Sequence, residues 1–255
     1  MILCLDVGNS HIYGGVFNGD DIILRFRQSS KVATSDEIGI FLSNVLRENK
    51  IKKDDIKHIT LCSVVPQLDH SIGSACIKYL HKEAFVLQAG VKTGLKINYR
   101  NPLEVGADRI ANAIAATHLY PEENLVIIDF GTAITFCVIT EEKNYKGGVI
   151  MPGVRLSMEA LQAKTAKLPS VQIVKPEVTV GRSTIESIQS GLYFGVQGAC
   201  REILQQIKRE AFTNKPVKVI GTGGFASLFT ESDLFDELAP DLVLQGLKLV
   251  LRMNT

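Results

Sequence analysis

Two aspartates stand where an apolar run meets a glycine-containing turn. Asp6 lies in ILCLDVGNSHIYGGVF (residues 2–17) and Asp129 in LVIIDFGTAITFCVI (residues 125–139). A carboxylate at a strand end offers the hard oxygen that Mg²⁺ prefers, and Mg²⁺ commonly keeps waters while bridging to substrate phosphates. Gly8 and Gly131 let turn backbone approach a phosphate and present N–H donors, and Asn9, Ser10 and Thr132 add further donors. Aligned on the acids, Gly131 falls on Gly8, Thr132 on Asn9 and Ala133 on Ser10, with a separation of 129 − 6 = 123 in a chain of 255 residues. One such block is equally an Asx-type turn without a ligand. Two, near half the chain length apart, point to a duplicated domain whose acidic strand ends face each other and clamp a metal-bound polyphosphate. In that setting Asp129 reads as a cation ligand rather than a base, because a carboxylate beside bound cations stays ionised.

The elements that must position these residues follow from patterning. Val, Ile, Tyr, Phe and Thr flank both turns, so each block predicts a β-hairpin. IKHITLCSVVP and AFVLQAG read as further strands. TSDEIGIFLSNVLREN opens with a capping box, Thr34 with Glu37, before an amphipathic run, and Ser183 with Glu186 opens another before a long helix. GADRIANAIAATHLYP runs as a helix into Pro121, and VKVIGTGGFASLF gives a strand, a glycine turn and a helix start. Alternating strands and helices make the class α/β.

Gly221-Thr222-Gly223-Gly224-Phe225-Ala226 also fits the dinucleotide pattern GxGxxA. Only about thirty residues follow it, too few for a dinucleotide domain of the usual strand–helix–strand kind. The better reading is a Gly223-Gly224 step on which an adenosine lies against backbone. No GxxxxGK[ST] occurs, which excludes a P-loop kinase.

A net charge of +1 and the absence of Trp argue against nucleic acid and anionic membranes as partners. No run approaches the roughly 20 apolar residues of a membrane helix, and the N-terminus lacks the basic lead of a signal peptide. Cys4, Cys62, Cys76, Cys137 and Cys200 are scattered without metal spacing, which is the pattern of buried reduced thiols in a cytoplasmic protein.

Asp108 sits in the first turn of the GADR helix, where a carboxylate also serves simply as a dipole partner. Arg109 can hold a carboxylate or a phosphoryl oxygen bidentately. Thr184 places a hydroxyl at the positive end of the long helix. Gly191, Gly195 and Gly198 on that helix allow either close packing inside the chain or approach of a second helix.

Two acidic hairpins followed by a Gly-Gly turn resemble the acetate and sugar kinase, Hsp70 and actin superfamily. Within it the chain resembles the type III pantothenate kinases, through DVGNS, SVVP, YRNPLEVGADR, DFGTA, GGVIMPG, LP, VGRSTIESIQSG and GTGG in order from Asp6 to Gly224. The resemblance implies two ribonuclease H-like, actin-like ATPase domains from a duplicated unit, divided at 1–118 and 119–255 with a cleft between them. It implies transfer of the γ-phosphoryl of ATP to pantothenate, the first step towards coenzyme A, with Asp108 as general base, kept ionised by helix N–H groups and Arg109. Pantothenate contacts are implied at Tyr99, Gly106, Ala107, Asp108, Arg109 and Thr184. Nucleotide contacts are implied at Asp6, Val7, Gly8, Asn9, Ser10, His11, Ile12, Tyr13, Thr132, Gly223 and Gly224. Asp6 takes the Mg²⁺ side, Asp129 a monovalent cation (K⁺ or NH₄⁺), and the protein is a homodimer whose active sites involve both subunits. His11 departs from the expected pattern, since a smaller polar residue is anticipated there.

Two other readings keep the same fold: a regulator that binds nucleotide without turnover, and a phosphohydrolase in which water replaces the alcohol. The Asp6, Asp108 and Asp129 set disfavours the first, and the stretch from Tyr99 to Arg109 disfavours the second.

Overall fold

A computed structural model describes residues 1–255 apart from positions 32 and 214. Strands β1 (Ile2–Val7), β2 (His11–Asn18) and β3 (Asp21–Ser29) form an antiparallel meander. Helix α1 (Ser35–Glu48), β4 (His58–Ser63), α2 (Pro66–Leu80) and β5 (Ala84–Val86) follow, then the short β6 (Lys96–Ile97) and α3 (Ala107–Leu119). A second meander, β7 (Leu125–Phe130), β8 (Ala133–Ile139) and β9 (Asn144–Pro152), leads into α4 (Val154–Lys164) and α5 (Thr184–Ala211). The chain ends with β10 (Lys218–Thr222), β11 (Glu237–Leu238) and α6 (Leu242–Asn254).

The two sheets repeat one topology. The first runs β3-β2-β1-β4-β5 and the second β11-β10-β7-β8-β9-β6. In each, a central strand pairs antiparallel with the next strand in sequence and parallel with a strand reached through helices. The strand β1 thus corresponds to β7, β4 to β10 and β5 to β11, while β6 is extra. The duplication expected from the two DxG blocks is present in the strand order itself.

The chain forms two compact units, residues 1–95, 100–115 and 242–255 in one and residues 96–99 and 116–241 in the other. This differs from a division at 118/119 in one main respect: the C-terminal helix belongs with the first half. The helix α6 packs on β1, β2 and β4, and its Leu242, Leu244, Leu247, Val250 and Leu251 are at most 3% exposed. Its close crossing with α3 requires Gly246, where a Cβ would overlap the Ala111 carbonyl.

In the first unit, period-2 alternation sorts the sheet's faces. Leu3, Leu5 and Val7 of β1 join Ile59 and Leu61 of β4 in a core with Ile38, Leu42 and Leu46 of α1 and Leu68 and Ile72 of α2. The helix α1 carries the expected capping box between Thr34 and Glu37, and α2 starts with Pro66 at its first position, where a missing N–H costs nothing. The other face therefore carries Cys4 and Asp6 of β1 with Thr60 and Cys62 of β4.

In the second unit, Ile188, Leu192, Val196, Cys200, Leu204 and Ile207 form one helical stripe of α5 against Val126, Ile128 and Phe130 of β7. Phe229 stacks on Phe130 and on Tyr193. Among the described residues, no helix is long and apolar enough to cross a membrane, and all five cysteines are buried and outside disulfides.

Candidate active site

Central strands covered on both faces read as continuous apolar runs. Beyond Ile2, β1 is buried at every position except Asp6, and β7 at every position except Asp129. The acids interrupt the burial because the strand ends there, at the carboxyl edge of an α/β sheet, where such sheets place their ligands.

The two turns are alike but not equal in length. In the first, Val7 pairs with Ile12 and the Gly8 N–H donates to the His11 carbonyl at 3.1 Å. In the second, Phe130 pairs with Ile134 and the Gly131 N–H donates to the Ala133 carbonyl, also at 3.1 Å. The first turn holds four residues between its last paired positions and the second three. His11, not Ser10, therefore takes the place of Ala133 in the hydrogen-bond pattern, and the unexpected histidine belongs to a turn one residue longer. Asn9, His11 and Thr132 are exposed, Ser10 and Gly8 half-buried and Val7 and Ile12 buried.

In the first unit a row of register partners crosses four strands: Arg27 on β3, Tyr13 on β2, Asp6 on β1 and Cys62 on β4. The Arg27 guanidinium lies 4.6 Å from the centre of the Tyr13 ring. The Cys62 thiol donates to Asp6 Oδ1 at 3.4 Å. Cys62 is fully buried, and burial, reinforced by the nearby carboxylates of Asp6 and Asp108, holds its thiol protonated far above the usual range. Asp6 and Cys62 are thus in contact, and the charge of Asp108 reaches the same thiol.

Asp108 is held there by the start of α3. Its Oδ1 accepts the Arg109 N–H at 2.8 Å. A Cβ on Gly106 would overlap that same oxygen, so the glycine is what lets the carboxylate fold back over the helix start. Burial pushes the Asp108 carboxyl above the ordinary carboxylate range, and the Arg109 N–H and guanidinium only partly oppose it. Desolvation is the larger of the opposing effects. Arg109 is 6% exposed, which places it inside rather than on a solvated face. Ala107 is half-buried beside it.

In the second unit the GTGG turn closes over the end of β7. Gly223 adopts φ +92°, and a Cβ there would overlap Asp129 Oδ1 and press on the backbone of Phe130. The Phe225 N–H donates to the Phe130 carbonyl at 3.1 Å. The Gly153 N–H donates to the Thr132 carbonyl at 3.0 Å, which ties the end of GGVIMPG to the second phosphate-type turn. Gly224 is exposed and open on the side a Cβ would occupy. After it, only a short 3₁₀ turn at Ala226–Phe229 forms where a helix start was expected. Tyr99 follows β6, with its ring against Gly147 of β9.

Thr184 is the exposed first residue of α5, behind the Ser183 cap that accepts the Glu186 N–H. Glu186 reaches back to the Arg182 N–H at 2.6 Å, one residue earlier than a capping box requires. Thr184 borders a cavity of about 1190 Å³ between α4 and α5, whose apolar lining includes Leu156, Ala160, Leu161, Leu168 and Ile188. Gly191, Gly195 and Gly198 are exposed, with open space where each Cβ would sit, so packing inside the chain does not explain them.

Among the described residues no three His, Cys, Asp or Glu side chains are grouped to hold a metal. That donor set does not suit zinc. Single carboxylates at Asp6 and Asp129 do suit cations whose remaining ligands are water, backbone carbonyls or phosphate oxygens. Sequence reasoning missed Cys62, whose place beside Asp6 appears only once β1 and β4 are paired.

The sequence model of one protein family, type III pantothenate kinase, matches residues 2–206. The type III pantothenate kinase of Legionella pneumophila (strain Corby) is 64% identical over 255 residues, all of both chains. Type III pantothenate kinase 1 of Francisella tularensis subsp. holarctica (strain OSU18) is 49% identical over the same full length. Among solved structures, the activator of the 2-hydroxyisocaproyl-CoA dehydratase from Clostridium difficile, with bound ADPNP, superposes with a TM-score of 0.54 at 13% identity, covering 97% of this chain and 92% of that one. The inorganic polyphosphate/ATP-glucomannokinase from Arthrobacter sp. strain KM gives 0.50 at 12% identity, covering 100% and 99%. At such identities these two speak for the fold alone: the actin-like ATPase and sugar kinase type, with duplicated ribonuclease H-like domains.

Proposed function

The chain belongs to the type III pantothenate kinase family, and from that premise we propose how its residues divide the work. The protein transfers the γ-phosphoryl of ATP to the primary hydroxyl of pantothenate, giving 4'-phosphopantothenate and ADP at the entry to coenzyme A synthesis. Asp108 accepts the hydroxyl proton. The observation that carries this role is a half-buried carboxylate folded over the start of α3 behind Gly106, with its proton affinity raised by desolvation, since a base poised nearer neutrality is the more effective one. Arg109 holds the pantothenate carboxylate or a phosphoryl oxygen, with Tyr99, Gly106, Ala107 and Thr184 completing the acceptor site.

The nucleotide is held by Asp6 to Tyr13, by Thr132 and by the Gly223-Gly224 backbone. Phosphoryl transfer depends on positioning and charge neutralisation more than on covalent chemistry from the protein. Turn N–H groups and small polar side chains supply the positioning. Asp6 would hold Mg²⁺, which neutralises phosphate charge when bound. Asp129, against Gly223 and the β7–β8 turn, would hold K⁺ or NH₄⁺. The protein works as a homodimer in the cytoplasm. In support, α5 exposes Gly191, Gly195 and Gly198 beside the apolar cavity at Thr184, and the buried thiols suit a reducing compartment.

The test is ADP release with pantothenate as sole acceptor. The rate is expected to rise from near zero to saturation with added pantothenate. Release that ignores pantothenate would make the protein a hydrolase, and nucleotide binding without release would make it a non-catalytic relative.

A further inference from the structure

We infer that Cys62 is a positioning residue for Asp6, its thiol aiming the carboxylate that receives the metal–nucleotide. This rests on the reading of Asp6 given above. The two residues are register partners on adjacent parallel strands, on the sheet face away from α1 and α2. The thiol donates to Asp6 Oδ1 at 3.4 Å, and Cys62 is 0% exposed, so no water competes for that oxygen from the Cys62 side. A carboxylate on a short side chain turns freely about its last bond. A donor fixed to the neighbouring strand restrains that rotation and occupies one oxygen, which presents the other in one orientation. Cysteine suits the place because it packs as a small apolar group yet retains a weak donor.

The second unit repeats the register. Asp129 has Thr222 as its register partner on β10, and Thr222 is 3% exposed. Both strands that flank the acids are otherwise filled with Ile, Leu, Val and Gly at their buried positions, apart from Thr60 on β4. At the one position opposite each acid, both carry a short side chain with a hydrogen to give. The coincidence of register in two separately built sheets is what lifts Cys62 above a buried thiol that merely fills space.

The experiment compares wild type, Cys62→Ser, Cys62→Ala and Asp6→Asn in the full-length protein. MgADP binding is measured by calorimetry, KM for MgATP and kcat by ADP release, and folding by Tm. Serine and alanine leave nearly the same space, so a cavity effect is common to both, and only the donor separates them. The expected result is a Kd for MgADP and a KM for MgATP raised about three- to tenfold in Cys62→Ala, with kcat changed less than twofold. In Cys62→Ser both constants are expected to return to within about twofold of wild type, because the hydroxyl restores the hydrogen bond. Equal shifts in the two variants, or no shift in either, would overturn the inference. If Cys62→Ala does not fold, Cys62→Thr against Cys62→Val carries the same comparison, since these two are nearly alike in shape and differ in the hydroxyl. Asp6→Asn separates the two failures: if it leaves MgADP affinity unchanged, the reading of Asp6 itself is wrong, whereas if it weakens binding while the Cys62 series is flat, only the positioning role falls.

Discussion

The adjacent glycines of the GTGG turn should respond oppositely to the same small change. Gly223 has φ +92° and no room for a Cβ, which would collide with Asp129 Oδ1 and the backbone of Phe130. Holding a residue with a side chain in that backbone region costs about 1–3 kcal/mol. Forcing a methyl into filled space costs about 1–3 kcal/mol more, because the obstruction is partly backbone and cannot swing aside. Gly223→Ala should therefore lose about 2–6 kcal/mol. At roughly 2–4 °C per kcal/mol for a chain of this size, Tm should fall by about 4–24 °C. Gly224 lies in open space at an ordinary backbone angle, so Gly224→Ala should leave Tm within about 2 °C. Function should divide the other way. Gly224→Ala, stable, should raise KM for ATP, because a methyl now stands where the adenosine is to lie. Gly223→Ala should reduce activation by K⁺, because Asp129 is the group displaced. Differential scanning fluorimetry and initial-rate kinetics on the two variants read all four quantities. Equal stability of the two variants would refute the steric reasoning, and an unchanged KM for ATP in Gly224→Ala would refute the adenosine role.

Other perturbations follow from the same geometry. Asp108→Asn keeps the acceptor for the Arg109 N–H and removes a carboxylate whose folded pKa lies above its unfolded one. Such a group stabilises the fold only when protonated and loses that contribution as pH rises through its folded value, so at neutral pH the variant should be as stable as wild type or more so, as thermal melts across pH 4–8 will report. Gly195→Leu should improve the helix itself, since glycine is the poorer helix former by up to about 1 kcal/mol, yet convert a dimer to monomer in sedimentation analysis; an unchanged mass would dissociate the glycine face from assembly. Replacing K⁺ by Na⁺ should lower the rate, and undiminished turnover in a sodium-only buffer would remove the cation from Asp129.

Much of this was legible in the chain. The DVGNS and DFGTA blocks declared both hairpins, because β-branched residues around a glycine turn leave few alternatives, and their spacing declared the duplication. The helices at Thr34 and Ser183 announced themselves by their caps. Less legible was α6, whose Leu242, Leu244, Leu247, Val250 and Leu251 mark burial but not the partner. Only tertiary packing tells that the last helix returns to the first sheet. The proton affinity of Asp108 was legible only in part for a related reason: charges and N–H groups nearby are visible in sequence, whereas the desolvation that outweighs them belongs to the fold. The turn at His11 shows a similar gap, since residue alignment matched Ser10 to Ala133 while the hydrogen bonds match His11.

The central claim is that the Asp108 carboxylate takes the proton of the acceptor hydroxyl. Its most direct test is the pH dependence of kcat/KM for pantothenate in wild type and Asp108→Asn. Wild type should gain activity with pH on an acid limb whose midpoint lies above the ordinary aspartate value of about 3.9, and the variant should lose that limb along with about 10²-fold or more of the rate. A variant that keeps the same limb, or that turns over within a few-fold of wild type, would contradict it.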